Sequence, residues 1–436
     1  MSDVIVVGGG IAGLVAAAFA AKAGASVLLL EGAPEFGGRA RTQIVSGYYF
    51  NQGAHALYRD GFLDKALRDL GVEVTGNRPA LGDGFFVNDN KLHQTPFSAP
   101  GLVSTTLLSD AEKREMATLF HRLRDGSTET PPGTCLEDAI RALSQSSRIR
   151  SVLAAMVRLT SIVHAPKAAD GQALLDQLRG GLTRGARYLD GGWGTIIDGL
   201  RLACAELGVE LRSTSRVQSV EYGPPWRATL ADGTALTARA VVLAVNPPQA
   251  TVLYPALKNL HGITDVVPAT AACLDIGLAS LPRPDVLFAL GVDQPLYFSV
   301  HSMAARLAPD GAALVHVQRF LEPGEKPDRG RLIGELEGFM DLMQPGWRDY
   351  ERTRQFLPTM PAMSSIPLAA VGGMNGRPAV VVQNAEGLFM SGDWVGSVGL
   401  LSDASAASGR SAGEAAAVFA RHERPRELQT LDYAKE

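Results

Sequence analysis

The stretch that decides the fold is Asp3–Gly32, DVIVVGGGIAGLVAAAFAAKAGASVLLLEG. A β-branched apolar run at Val4–Val7 leads into Gly8-x-Gly10-x-x-Gly13, an Ala-rich helix to about Lys22, and a second apolar strand at Ser26–Leu30 closed by Glu31. Gly8 allows the tight turn, Gly10 lets backbone approach a pyrophosphate, and Gly13 lets helix pack closely on strand. Ile11 and Ala12 open the helix, whose free N–H groups and partial positive charge face the phosphates. Glu31, followed by Gly32, lies 18 residues after Gly13, where a carboxylate accepts hydrogen bonds from a ribose diol. Strand, glycine turn, helix and closing acid together predict a dinucleotide site on a doubly wound α/β sheet.

Composition sets the wider bounds. A chain of 436 residues exceeds one core, so two domains are expected. With 46% hydrophobic and 20% charged residues it reads as globular, and a net charge of -4 gives no reason to expect nucleic acid. Cys135, Cys204 and Cys273 are scattered and odd in number, which suits a reducing compartment and disfavours a disulfide framework or a zinc site. Val4–Ala21 is an uncharged run of 18 residues, but its glycines divide it into strand, turn and helix rather than a membrane span. No basic region precedes it, so a cytoplasmic protein is expected, with peripheral membrane contact left open.

Two further segments bear on the cofactor. EFGGRARTQ places Gly37, Gly38, Arg39 and Arg41 just beyond Glu31, where a second glycine turn and a guanidinium reach the same phosphates. Near the other end, GLFMSGDWVG reads as a strand ending in Gly392-Asp393, and a small-residue helix follows, capped by Ser402 or Asp403. This set, in this order, resembles FAD enzymes of the flavin amine oxidase, protoporphyrinogen oxidase and phytoene desaturase superfamily, closest in flavour to bacterial phytoene-desaturase-like proteins. The resemblance implies a Rossmann-type FAD-binding domain, α/β in class, with an inserted mixed α+β substrate domain. It implies that Asp393 binds the ribityl or pyrophosphate part of FAD, that the backbone at Val217 contacts adenine, and that Leu400 and Leu401 sit beside the flavin. SGYYFNQGAHALYR, Ser46–Arg59, resembles the segment running past the ring; His55 there either faces the isoalloxazine or packs. Trp394 and Leu400 are the other weak catalytic candidates, and Trp394 serves equally well as a packing residue.

The implied chemistry is hydride removal to flavin with reoxidation by oxygen or a quinone. Amine oxidases of the superfamily commonly carry an aromatic residue where GSVGLLSDASAASG has Leu400 and Leu401, and a lysine on a substrate-domain strand, whereas PATAACLDIGLA has none. Both departures favour a lipophilic substrate, with amine oxidation, a protoporphyrinogen-like reaction, or a flavin-binding protein without turnover as alternatives. The domains are expected at 1–84, 189–250 and 377–425 for FAD and at 85–188 and 251–376 for substrate, with 426–436 a tail. In ALVHVQRF, alternation puts His316 and Gln318 on one face and Val315 and Val317 on the other. That polar face is either a cavity floor or, the simpler expectation, the solvated side of a sheet.

Overall fold

A computed structural model describes residues 1–79 and 84–422, so the expected tail lies outside the described residues. The first sheet is built on Ser2–Val7, which pairs in parallel with Val27–Leu30 on one side and Ala235–Leu243 on the other. Val4, Ile5, Val6 and Val7 are buried together with their partners on both sides, as an uninterrupted apolar run in a parallel sheet requires. Glu210–Arg212 extends one edge; the hairpin Val217–Glu221, Trp226–Leu230 extends the other beside Ala235–Leu243. Leu388–Met390, near the other end of the chain, returns to pair with the last residues of Ala235–Leu243. The Asp232-Gly233 turn joins Trp226–Leu230 to its antiparallel partner Ala235–Leu243, with Gly233 at φ +86°, in the left-handed region that the turn needs.

The helix Ile11–Lys22 packs on this sheet, and the C-terminal helix Leu401–His422 packs on Ile11–Lys22. Small residues make that approach possible: a Cβ on Gly409 would collide with the carbonyl oxygen of Ala12 at 2.5 Å, and one on Gly413 with that of Ala16. The Ala/Gly-rich composition of the last helix therefore records close contact with the nucleotide helix.

A second, antiparallel-rich sheet runs in the order Glu351–Met363, Ala269–Leu278, Ala313–Leu321, Leu296–Val300, Phe288–Gly291, Phe85–Asn88, Lys91–Gln94. One face, with Leu274, Ile276, Val315 and Val317, is sealed by the helix Arg329–Met343 through Leu332, Leu336 and Met340. The helices between Ala99 and Arg184 form a core with Phe86, Phe288, Leu290 and Phe320 of this sheet. The longest of them, Asp110–Asp125, begins at the capping box of Ser109 and Glu112 that the sequence spacing predicts. Leu253, Leu257 and Ile263 pack with the first sheet, so the chain crosses to the second sheet nearer Ala269 than residue 251.

Two local expectations are corrected. His316 and Gln318 are wholly buried, not solvated, because loop 51–56 and the strand Ala186–Leu189 cover the face they share. Neither Ser402 nor Asp403 caps the last helix. Asp403 accepts instead from the backbone N–H of Leu63 at 2.9 Å, capping the helix Phe62–Asp69, whose N-cap Gly61 has no side chain to do so.

Candidate active site: a nucleotide crevice continued by an apolar arm

One cavity of about 1100 Å³ runs along the carboxyl ends of the first-sheet strands and on between the two sheets. At its nucleotide end the three glycines take distinct roles. Gly8, at φ +109°, turns where any Cβ would meet the backbone of Ala244. Gly13 sits against Gly8, whereas a Cβ on Gly10 would find no atom within 4 Å because it would project into the open crevice. Glu31 lines the crevice and accepts from the backbone N–H groups of Gly9 at 2.6 Å and Ala33 at 2.7 Å, which fixes both oxygens at the end of the second strand. Gly32 and Val217 line the same end beside Arg216.

Gly37, Gly38, Arg39 and Arg41 form the next wall, held on the first turn by a bond from Gly37 N–H to the oxygen of Gly9 at 2.8 Å. Arg39 donates through Nη1 to Asp393 Oδ2 at 2.7 Å, joining segments 354 positions apart, and its side chain remains partly open to the crevice. Asp393 is buried, and its Oδ2 also accepts from Ser364 N–H at 2.9 Å. Burial pushes its carboxyl up, but the Arg39 charge and these hydrogen bonds outweigh burial and hold it below the usual carboxylate range. Its other oxygen, Oδ1, is buried without a partner.

That orphan acceptor, the open space at Gly10 and the arginines along the wall are the complement of a dinucleotide's hydroxyls and pyrophosphate, so these residues fit FAD. The first turn of the last helix adds Leu401, at φ +55°, with Ser402 and Ser405 to the lining, and brings its positive end to the cavity. Gly392, Ile11 and Ala12 line it as well. The remaining candidates divide. Leu400 is buried in the core of the helical layer and is absent from the lining. Trp394 borders the cavity, but its indole lies in the first-sheet core with Nε1–H on the oxygen of Val245 at 3.0 Å, the geometry of a packing residue. His55 lines the cavity, tilts against Trp193 with ring centroids 4.8 Å apart, and places Nδ1 2.9 Å from the oxygen of Gly53. Burial lowers its proton affinity, which leaves the imidazole neutral.

The family described as flavin containing amine oxidoreductase matches residues 11–270. The chain belongs to this family. As a member of it, the protein is an FAD-dependent oxidoreductase. An oxidoreductase from Methanosarcina mazei, 18% identical, shares the fold with a TM-score of 0.74 over 94% of this chain and 99% of that one. Cyclohexylamine oxidase from Brevibacterium oxydans IH-35A, 15% identical, does so with a TM-score of 0.70 over 97% and 100%. A limonene dehydrogenase subunit from Castellaniella defragrans is 45% identical over 76 residues, which make up 17% of this chain and 13% of that protein.

Beyond the crevice the cavity of this flavin oxidoreductase changes character. Phe97, Met156, Leu159, Ile162, Leu178 and Leu182 line an arm beneath the helical layer. Among the described residues no lysine borders the cavity, and Glu31 and Asp393 are its only carboxylates. The floor of the arm carries polar side chains of the second sheet, of which residue patterning singled out only His316 and Gln318. Tyr188, Tyr297, His301 and Gln318 border the cavity; His316 and Asp275 lie directly behind them. Strand pairing assembles this group: Asp275 faces His316 across one ladder, and Tyr297 faces Gln318 across the next. No sequence motif marks Asp275, Tyr188 or His301, which lie on separate elements and meet only in the fold.

Proposed function

We propose that the protein dehydrogenates a lipophilic small molecule, with oxygen or a quinone as the final electron acceptor. The observation that carries this reading is the arm itself, apolar over most of its wall and, among the described residues, without a carboxylate of its own to pair with a cationic substrate. The local likeness to a subunit of limonene dehydrogenase, whose named substrate is a hydrocarbon, points the same way.

When bound, FAD supplies the two-electron acceptor. The chain's own contribution is then threefold. The glycine turn, Arg39 and Arg41 hold the diphosphate; Glu31 and the free oxygen of Asp393 accept from hydroxyls. The positive end of Leu401–His422 favours negative charge at the cavity. The apolar arm excludes water and orients the substrate's C–H bond.

Amine oxidation is the second reading, supported by Tyr188 and Tyr297, whose rings are of the type that holds an ammonium group. Anaerobic titration of the flavin absorbance with monoterpenes, polyenes, porphyrinogens and a panel of amines tests both. Bleaching by a terpene or polyene, with amines inert, is the expected outcome. Bleaching by simple amines alone would replace this reading with the second, and no bleaching by any of them would leave a flavin-binding protein without this chemistry.

A further inference from the structure

The polar floor is an ordered chain of hydrogen-bonding groups with one negative charge at its inner end. Asp275 is fully buried; its Oδ1 lies 2.6 Å from His316 Nδ1, and its Oδ2 accepts from Gln355 Nε2 at 3.1 Å. At the outer end the Tyr297 hydroxyl is 3.1 Å from His301 Nε2 and 3.4 Å from the Tyr188 hydroxyl, and Tyr188 stacks on His301 with centroids 3.6 Å apart. The two imidazoles meet edge to face, 4.3 Å between centroids. His301 Nδ1 and His316 Nε2 are both buried without partners.

The tautomers follow from these bonds. A carboxylate only accepts, so His316 carries a proton on Nδ1, and in the neutral imidazole the lone pair is then on Nε2. A phenol donating to Nε2 leaves His301 with its proton on Nδ1. The two orphaned nitrogens are therefore a donor and an acceptor on neighbouring rings whose centroids lie 4.3 Å apart. Burial, with His316 and His55 nearby, holds His301 well below the ordinary imidazole range, so its Nε2 lone pair is free to accept. Around the two rings stand Asp275 and Cys273 on one strand, Tyr297 and Tyr188 on two others, and His55 on loop 51–56. His55 and His301 are the only imidazoles among the described residues that border the cavity.

From this arrangement we infer that Tyr297, His301, His316 and Asp275 form a proton relay that takes up the proton released when substrate is oxidised. The inference rests on the dehydrogenation reading for its reacting molecule. In that step a hydride, with the electron pair of its C–H bond, goes to the oxidised flavin, and the adjacent atom loses its hydrogen as a proton while that bond's electrons form the new π bond. The proton passes to the Tyr297 oxygen as Tyr297 gives its own to His301 Nε2. The Nδ1 proton of His301 moves to His316 Nε2, and that of His316 Nδ1 to the Asp275 carboxylate. Tyr297 and His301, which border the cavity, are the catalytic residues; His316 and Asp275 are positioning residues.

Exchange of the buried imidazole protons with solvent tests the relay without any substrate. In the flavin-loaded protein labelled with 15N-histidine, the His316 Nδ1 proton is expected to exchange through the cavity. Tyr297→Phe, which removes the outer link, and Asp275→Asn, which removes the inner base, are each expected to slow that exchange tenfold or more. A tenfold slowing in either folded variant, judged by retained flavin absorbance, supports the relay. Exchange that stays the same or accelerates in both, as loosened packing would produce, overturns it. A relay intact by this measure in a protein whose flavin no lipophilic compound bleaches would separate failure of the substrate reading from failure of the relay.

Discussion

Gly10 and Gly13 stand three residues apart in one motif, yet alanine at each should fail in opposite ways. At Gly10 a methyl meets no protein atom within 4 Å, and the residue sits at the helix N-cap with φ −79° and ψ −175°, a conformation any residue adopts. Loss of glycine there costs about 0.5–1 kcal/mol as a cap, offset by about 0.4–1 kcal/mol from a stiffer unfolded chain. The apo-protein should therefore melt within about 1 °C of the parent. The added methyl occupies the crevice where the phosphates pass, and overpacking of about 1–3 kcal/mol raises the FAD dissociation constant by about 5- to 100-fold. At Gly13 the methyl would overlap the carbonyl oxygen of Gly8 and approach the Cβ of Ala244 at 3.1 Å. No side-chain rotation relieves a clash with backbone, so the helix must move off the strand. Even after about 1 kcal/mol of improved helix propensity, a net loss of about 2–3 kcal/mol is expected, or about 2–3 °C for a chain of 436 residues. Thermal unfolding of both apo-variants and FAD titration by flavin fluorescence quenching measure the two effects. A Gly10→Ala protein that binds FAD like the parent, or a Gly13→Ala protein that melts like it, would refute this division of roles.

Other expectations follow from single contacts. Asp393→Asn keeps the shape and the Ser364 bond but removes the charge facing Arg39; a loss of about 1.5–3 kcal/mol predicts FAD binding weaker by about 10- to 100-fold, read by the same titration with the melting temperature as control. Asp403→Ala removes the cap on Leu63 N–H and should cost about 1–2 kcal/mol of stability in denaturant unfolding, with FAD affinity unchanged. For pH, burial lowers His164 to about 4 in the folded chain, so the unfolded chain takes up the proton first as pH falls. Stability is then full above about 6.5 and declines towards about 4, by up to about 2 kcal/mol after allowing for partial exposure, since each unit is worth about 1.4 kcal/mol. His55 and His301, lowered by burial, act with the same sign. A His164→Gln protein should lose a measurable part of the pH slope between 6.5 and 4; an unchanged slope would count against the assignment.

The nucleotide half of the site was legible because each of its parts is a local rule. Gly8, Gly10, Gly13 and Glu31 fall within one strand-helix-strand unit, and Asp393 follows a recognisable strand; each carries its chemistry in a few adjacent residues. Even there, locality misled at the last helix, where the sequence suggested that Ser402 or Asp403 caps its N-terminus. The carboxylate turns to Leu63, 340 residues away, a choice fixed by how two helices pack. The substrate half follows no such rule. Period-two alternation correctly separated His316 from Val315 and Val317, but alternation reports which residues share a face and is silent on what covers it. The cover comes from Tyr188 and loop 51–56, remote in sequence, and the partner Asp275 is reached only through a nine-pair antiparallel register with its neighbouring strand. A slip of one residue in that ladder would turn Asp275 into the apolar face packed by Leu332 and Leu336, leaving a buried carboxylate without His316. The penalty for that slip makes the Asp275–His316 pair a determinant of strand register as well as the inner end of the relay, so Asp275→Asn should lower the cooperativity of unfolding less than Asp275→Leu, which removes the polar mark of register altogether.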